Sequence, residues 1–174
     1  VVEGSRLDPF DDESKEILSD RERDPWEEFN SDVFEFNYDV DQYVLKPVAE
    51  GFDTLVPDDV QESFSNVFLN IGFVPRFLNS LFQGKIDKAG TELTRFLVNS
   101  TLGVAGFFDV AKYAFDMEAP SPETAGQTLA MSGVSSGPYL MVPFLQPFTV
   151  RDFFGFVIDL PMNPVNFFIP ILPN

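Results

Sequence analysis

The sequence predicts an all-α protein, a single domain of short, proline-broken helices. Three observations carry that prediction. Apolar residues recur at steps of three and four along most of the chain, and 14 prolines and 11 glycines cut that pattern into short pieces. No strand alternation of convincing length appears, apart from the short "PYLMVPF" at 138–144. At 174 residues the chain is long enough for one core and short for two.

Residues 1–23, "VVEGSRLDPFDDESKEILSDRER", read as a flexible acidic leader, with the helical domain over 24–174. Asp24-Pro25 supplies an acid cap and a first-turn proline for the opening helix, and Trp26, Phe29, Val33, Phe36, Val40 and Tyr43 or Val44 form its apolar face. Pro47 lacks an amide hydrogen and disfavours helix at Lys46, so a kink or break is expected there, with a short segment from Pro47 to Leu55. Asp58 and Asp59 start the next helix, with Val60, Phe64, Val67, Phe68 and Ile71 predicted inward. Gly72 and Pro75 end it, "RFLNSLFQG" forms a short helix closed by Gly84, and 86–101 forms a longer one burying Leu93, Phe96, Leu97 and Thr101. "GVAGFFDVAKYAF" continues irregularly or helically. Ser121-Pro122-Glu123 reads as a start signal for a helix to about Met131, and Thr149 caps a last helix over 150–160.

Composition excludes several chemistries. There is no cysteine for disulfides or thiolate metal sites, and no histidine for an imidazole metal site or a catalytic base. "GVSSG", Gly133 to Gly137, matches the G-x-S-x-G turn of serine hydrolases. Yet no histidine exists to activate Ser135, Pro138 follows at once, and a helical pattern precedes it. Catalysis is therefore not expected, and neither is a cofactor. A formal charge of −17 argues against nucleic acid as a partner.

That charge is unevenly spread. Residues 1–30 hold 11 acids and 4 bases, whereas from Ala119 to Asn174 the only charged residues are Glu123, Arg151, Asp152 and Asp159. Twenty-one phenylalanines exceed what a core of this size can use, so some rings are expected to face lipid or a partner protein. The uncharged run Thr124–Val150 is broken by Pro138, Pro143 and Pro147, which speaks against a single spanning helix.

Five stretches in order, "DPWEEFNSDVFEFNYDVDQYVLKPVAEGF", "NSLFQGK", "TRFLVNSTLGVAGFFDVA", "GQTLAMSGVSSGPYLMVPFLQPFTVRDFFG" and "DLPMNP", resemble the MlaA (VacJ) family of outer-membrane lipoproteins, from Asp24 to Pro164. The resemblance implies a ring-like helical protein embedded in the periplasmic leaflet of the Gram-negative outer membrane. Through an amphipathic channel it would take phospholipid mislocalised in the outer leaflet to a periplasmic lipid carrier protein, beside a trimeric porin, with no catalysis of its own. Such proteins begin, after processing, with a lipid-modified cysteine, absent here, and continue past "DLPMNP". The resemblance thus implies a lipid anchor in the full-length protein and a missing C-terminal part of the family domain. The rival expectation is a structural or porin-associated envelope protein without its own lipid conduit.

The resemblance singles out Glu35, Phe36 and Asn37, midway along the first helix, as gate candidates; an ordinary core ring is the plain alternative for Phe36. Asn30 and Asn37, seven apart on one face, are placed to bridge neighbouring backbone. Gly133, Gly137, Pro138 and Pro143 are expected to bend chain around the channel, with Tyr139 offering a hydroxyl to a headgroup or to the core. Arg76, Lys85, Arg95 and Arg151 are scarce cations that would meet a lipid phosphate or pair with carboxylates such as Glu92 or Asp152.

Overall fold

The computed structural model describes residues 24–164 and Asn166; the leader over 1–23 and the other C-terminal residues lie outside the described residues. The all-α prediction holds. The acid cap and first-turn proline expected at Asp24-Pro25 fall just ahead of α1 (Glu27–Val40). Asp24 accepts the Trp26 amide at 3.0 Å and, through its carbonyl, the Glu27 amide, closing a turn. The cap position goes to Trp26, with no side-chain cap bond. Pro47 does not interrupt the chain. A π-turn, Asp41–Leu45, closed by the Lys46 amide on the Asp41 carbonyl, runs straight into α2 (Lys46–Leu55). The wider turn places Pro47 in the first turn of α2, where its missing N–H costs no helical bond. Asp58 and Asp59 do start α3 (Asp58–Ile71), with Pro57 at its cap.

Gly72 separates α3 from α4 (Phe73–Phe82), and Gly84, at φ 71°, turns the chain into α5 (Ile86–Thr101). Val104 and Ala105 then take left-handed φ of 55° and 58°, before Asp109 caps α6 (Val110–Phe115). The next helix, α7 (Ala125–Met131), starts later than Ser121-Pro122-Glu123 suggested. Thr124 and Gln127 form a complete capping box, satisfying two amides that Ser121 cannot reach from its loop position. β1 (Tyr139–Leu140) pairs antiparallel with β2 (Phe148–Thr149), and Thr149 caps α8 (Val150–Asp159) as its sequence position predicts.

The body is built on two helix pairs, α4 on α5 and α7 on α8. The second pair crosses backbone to backbone. A Cβ on Gly155 would lie 2.2 Å from the Gly126 amide nitrogen, so only glycine fits.

The burial pattern corrects the inward faces predicted above. Val60, Phe64, Phe68, Leu93, Leu97 and Thr101 are exposed, whereas Asn70, Glu92 and Asn99 on the same helices are buried. On the opening helix only Asn30 and Val33 are buried, while Trp26, Phe29 and Phe36 are exposed. The largest fully buried side chains are Asn79 and Ser80, each 1% exposed. Every buried side-chain nitrogen and oxygen among the described residues has a partner. A periodicity reading that assumes water outside assigns each stripe inward; here Val33 is buried and Val67, Ile71 and Phe96 are half-buried, but most of each predicted stripe faces outward.

Candidate functional site

Two clusters of polar side chains bring together residues singled out in the sequence. The first is where α1 meets the segment 139–145. The Asn30 amide donates to the Tyr139 carbonyl at 3.1 Å, and its oxygen accepts the Met141 amide at 2.7 Å. One heptad on, Asn37 donates to the carbonyls of Val142 and Leu145 at 3.1 and 3.4 Å and accepts the Phe144 amide at 2.8 Å. Each asparagine thus stands in for a missing strand, pairing backbone more than a hundred residues away.

These bonds hold Phe144 at φ 65°, with its ring edge-on to Phe36, centroids 5.2 Å apart. Glu35 and Pro143 are exposed beside them. Gly137, at φ 69°, lies against Val150, and the Pro138 carbonyl accepts the Val150 amide at 3.0 Å, fixing the segment to α8. Tyr139 pairs with Thr149, its hydroxyl 3.9 Å from the Met141 sulfur. Gly133, at φ 88°, closes α7 in open space, apart from this cluster. Ser135 lies in an exposed loop.

The second cluster lines a cleft of about 180 Å³ between α3, α4, α5 and the 119–122 loop. Arg76 and Arg95 both line it, each beside a carboxylate. Arg76 meets both Glu92 oxygens at 3.1 and 3.2 Å and donates to the carbonyls of Gly72 and Leu69. Arg95 donates to the Met117 carbonyl and, at 2.7 Å, to Asp109. Asn99 donates to Asp109 at 2.9 Å and accepts the Ala111 amide, and Asn70 bonds Ser100 at 2.8 Å. Phe73 and Phe96 stack with centroids 3.8 Å apart at the cleft wall. Burial alone would raise the Asp109 carboxyl, but the bonds from Asn99 and Arg95 outweigh it and hold the group below its usual range.

The remaining two cations lie elsewhere. Lys85 pairs with buried Glu123 at 2.8 Å, together with Lys88. Burial pushes the Glu123 carboxyl up, yet the two lysines bring it below its ordinary value. Arg151 pairs with its neighbour Asp152 at 2.9 Å. A third network locks the body: Asp159 accepts Asn79 at 2.8 Å and the Ala125 amide at 2.9 Å, and Thr128 donates to Asn79. Burial nevertheless raises the Asp159 carboxyl.

The structure therefore unites Asn30, Phe36 and Asn37 with 137–145, and Arg76 with Arg95, but leaves Lys85, Arg151 and Gly133 outside both clusters. Sequence reasoning missed Asn66, Asn70, Asn99 and Asp109. The available signal was an asparagine or acid set within an apolar helical run, as in "SNVFLNIG" and "RFLVNSTLG". No group of three or more metal-binding side chains occurs among the described residues.

The MlaA lipoprotein family matches residues 22–172. The chain is 36% identical over 138 residues to the intermembrane phospholipid transport system lipoprotein MlaA of Escherichia coli (strain K12), covering 78% of this chain and 55% of that protein. It is 33% identical over 137 residues to the protein of the same name from Haemophilus influenzae, with the same coverage. A Rickettsia felis protein without an assigned role is 36% identical over 147 residues, 83% of this chain and 57% of that one. The chain thus spans a little over half the length of these relatives. Among solved structures, one from work on the structural basis for maintenance of bacterial outer membrane lipid asymmetry superposes with a TM-score of 0.74 at 33% identity. That match covers 83% of this chain and 74% of the other.

Proposed function

The chain belongs to the MlaA lipoprotein family, and on that premise we propose that it sits in the periplasmic leaflet of a Gram-negative outer membrane and helps keep that membrane asymmetric. It takes mislocalised phospholipid from the outer leaflet along an amphipathic path to a periplasmic lipid carrier, beside a trimeric porin.

One observation carries the reading: among the described residues most large aromatic and aliphatic side chains lie outside, while nine polar or charged side chains are buried against six hydrophobic ones, and the buried polar atoms are bonded. Each large apolar side chain left in water forgoes about 1.5–3 kcal/mol of burial. Acyl chains around the body supply that burial instead. No helix among the described residues is long and apolar enough to cross a bilayer, which fits a body sunk in one leaflet. The polar interior offers a headgroup the groups that a hydrocarbon core cannot.

A porin-associated protein without its own conduit is the second reading, and one observation favours it. The cleft of about 180 Å³ is smaller than the ~300–1,000 Å³ typical of pockets that enclose small ligands, let alone a diacyl lipid. The deciding experiment measures outer-leaflet phospholipid in source cells lacking the protein, with and without a restored copy. A rise on deletion that the copy reverses supports transport. No change on deletion sinks the transport reading and leaves the structural one.

A further inference from the structure

We infer that the cleft between α3, α4 and α5 is a subsite for the zwitterionic headgroup of a phospholipid, a phosphodiester joined to an ammonium, with the acyl chains left outside. The inference rests on the transport reading above and deepens it.

Three features point there. First, unspent hydrogen-bonding capacity converges on one small space. Of the five N–H groups of a guanidinium, Arg95 uses two and Arg76 four among the described residues. Asn66 lines the same cleft, and its amide makes no hydrogen bond among the described residues. Guanidinium forks are the side chains best matched to a phosphodiester.

Second, the lining is charge-balanced. Two guanidinium groups face two carboxylates, Glu92 and Asp109, so the formal sum is zero. A net anion placed there would add negative charge beside two carboxylates in a partly desolvated site. A zwitterion leaves the sum unchanged. Its phosphate meets the unspent N–H groups of Arg95, and its ammonium meets the remaining lone pairs of Glu92, whose oxygens accept only Arg76 among the described residues.

Third, the size and the rim agree. About 180 Å³ suits a headgroup and cannot hold acyl chains. Leu69 lines the cleft yet is itself exposed, next to exposed Phe68, so chains leaving the cleft run onto apolar surface.

The test is calorimetric titration of the full chain in detergent with dihexanoyl phosphatidylethanolamine, dihexanoyl phosphatidylglycerol and inorganic phosphate. The ethanolamine lipid is expected to bind at least tenfold more tightly than the glycerol lipid, and phosphate alone not to compete. Asn66→Phe, which adds bulk to the lining without removing any bond, should weaken ethanolamine-lipid binding at least tenfold with the melting temperature unchanged. Should that variant unfold, Asn66→Ala is read in its place, with a loss of about threefold expected. Equal binding of the two lipids, competition by phosphate, or wild-type affinity in the variants would overturn the inference. The same variants in deletion cells separate the two levels. If the wild-type copy clears outer-leaflet phospholipid and Asn66→Phe clears it equally, the subsite fails and transport stands. If the wild-type copy clears nothing, the transport reading fails first and the subsite falls with it.

Discussion

The arm formed by α1 and α2 and the body formed by α3 to α8 are both apolar outside, yet they are held by different means. In the body, buried and half-buried side chains cross-link helices: Arg76 with Glu92, Arg95 with Asp109, and Asn79 with Asp159. The backbones of α7 and α8 also touch at Gly126 and Gly155. In the arm, α2 buries nothing, and Leu55 at its end is 83% exposed. Two asparagines tie α1 to the 139–145 segment, while Gln61 tethers the end of α2 by the Val56 carbonyl at 2.9 Å. Interior polar bonds therefore do in the body what an oily core does in a water-soluble domain, whereas the arm depends on a few discrete contacts.

The largest expected effect lies in the body. Glu92 is 5% exposed, and Glu92→Leu would leave the Arg76 guanidinium without its anion. Breaking a buried pair this way costs roughly 3–5 kcal/mol, and the lower figure, about 3 kcal/mol, applies because the Arg76 side chain is 22% exposed. Thermal melting in detergent should show a large fall in midpoint, and the double change with Arg76→Met should recover part of it. A Glu92→Leu protein that melts like the wild type would mean that the body is not held by its polar interior.

A second effect separates the carboxylates of the body by sign. Asp109 and Glu123 titrate below their ordinary values of 3.8 and 4.5 in the folded state. The stability they contribute is complete above those values and is lost as pH falls through the lower folded ones. Asp159 works oppositely. Its carboxyl is raised above 3.8, so its contribution is complete below that value and is lost as pH rises through the folded one. Melting midpoints should therefore rise as pH falls through the raised Asp159 value and fall again as the pH drops through the lowered Asp109 and Glu123 values. Asp159→Asn keeps an oxygen for the Ala125 amide and should abolish the rise while leaving the fall. A profile unchanged by that substitution would remove Asp159 from the account.

How much of this was legible in the chain differs by kind of feature. Local signals were readable because neighbours set them: the acids at 58 and 59, Gly84 at the end of α4, Thr149 at the start of α8. Pro47 was misjudged, since periodicity does not reveal that a π-turn can absorb it. Ser121 was misjudged because a fuller capping box lay three residues on. The direction of burial was hidden for a deeper reason. A stripe such as Val60, Phe64 and Phe68 states that one face differs from the other, and the surroundings decide which one faces outward. The cleft was half legible: Arg76, Arg95 and Glu92 stood out as charges. Asn70, Asn99 and Asp109 act through partners 10 to 30 residues distant, which no local window contains.

The smallest effect belongs to the arm. Asn37→Leu removes the donor to the Val142 and Leu145 carbonyls and the acceptor of the Phe144 amide. Each such bond contributes about 1 kcal/mol net, and the loss falls on one segment, so global melting should shift little. Amide hydrogen exchange at Phe144 should instead quicken roughly tenfold, the equivalent of about 1.4 kcal/mol of local opening. The Phe36–Phe144 ring contact should loosen with it, because the left-handed turn at Phe144 is held by that bond. Asn37→Asp keeps the oxygen for the Phe144 amide and should preserve most of its protection while freeing the two carbonyls. If Asn37→Leu instead lowers the melting midpoint as far as Glu92→Leu does, arm and body form one cooperative unit, and the two regions differ in chemistry but not in stability.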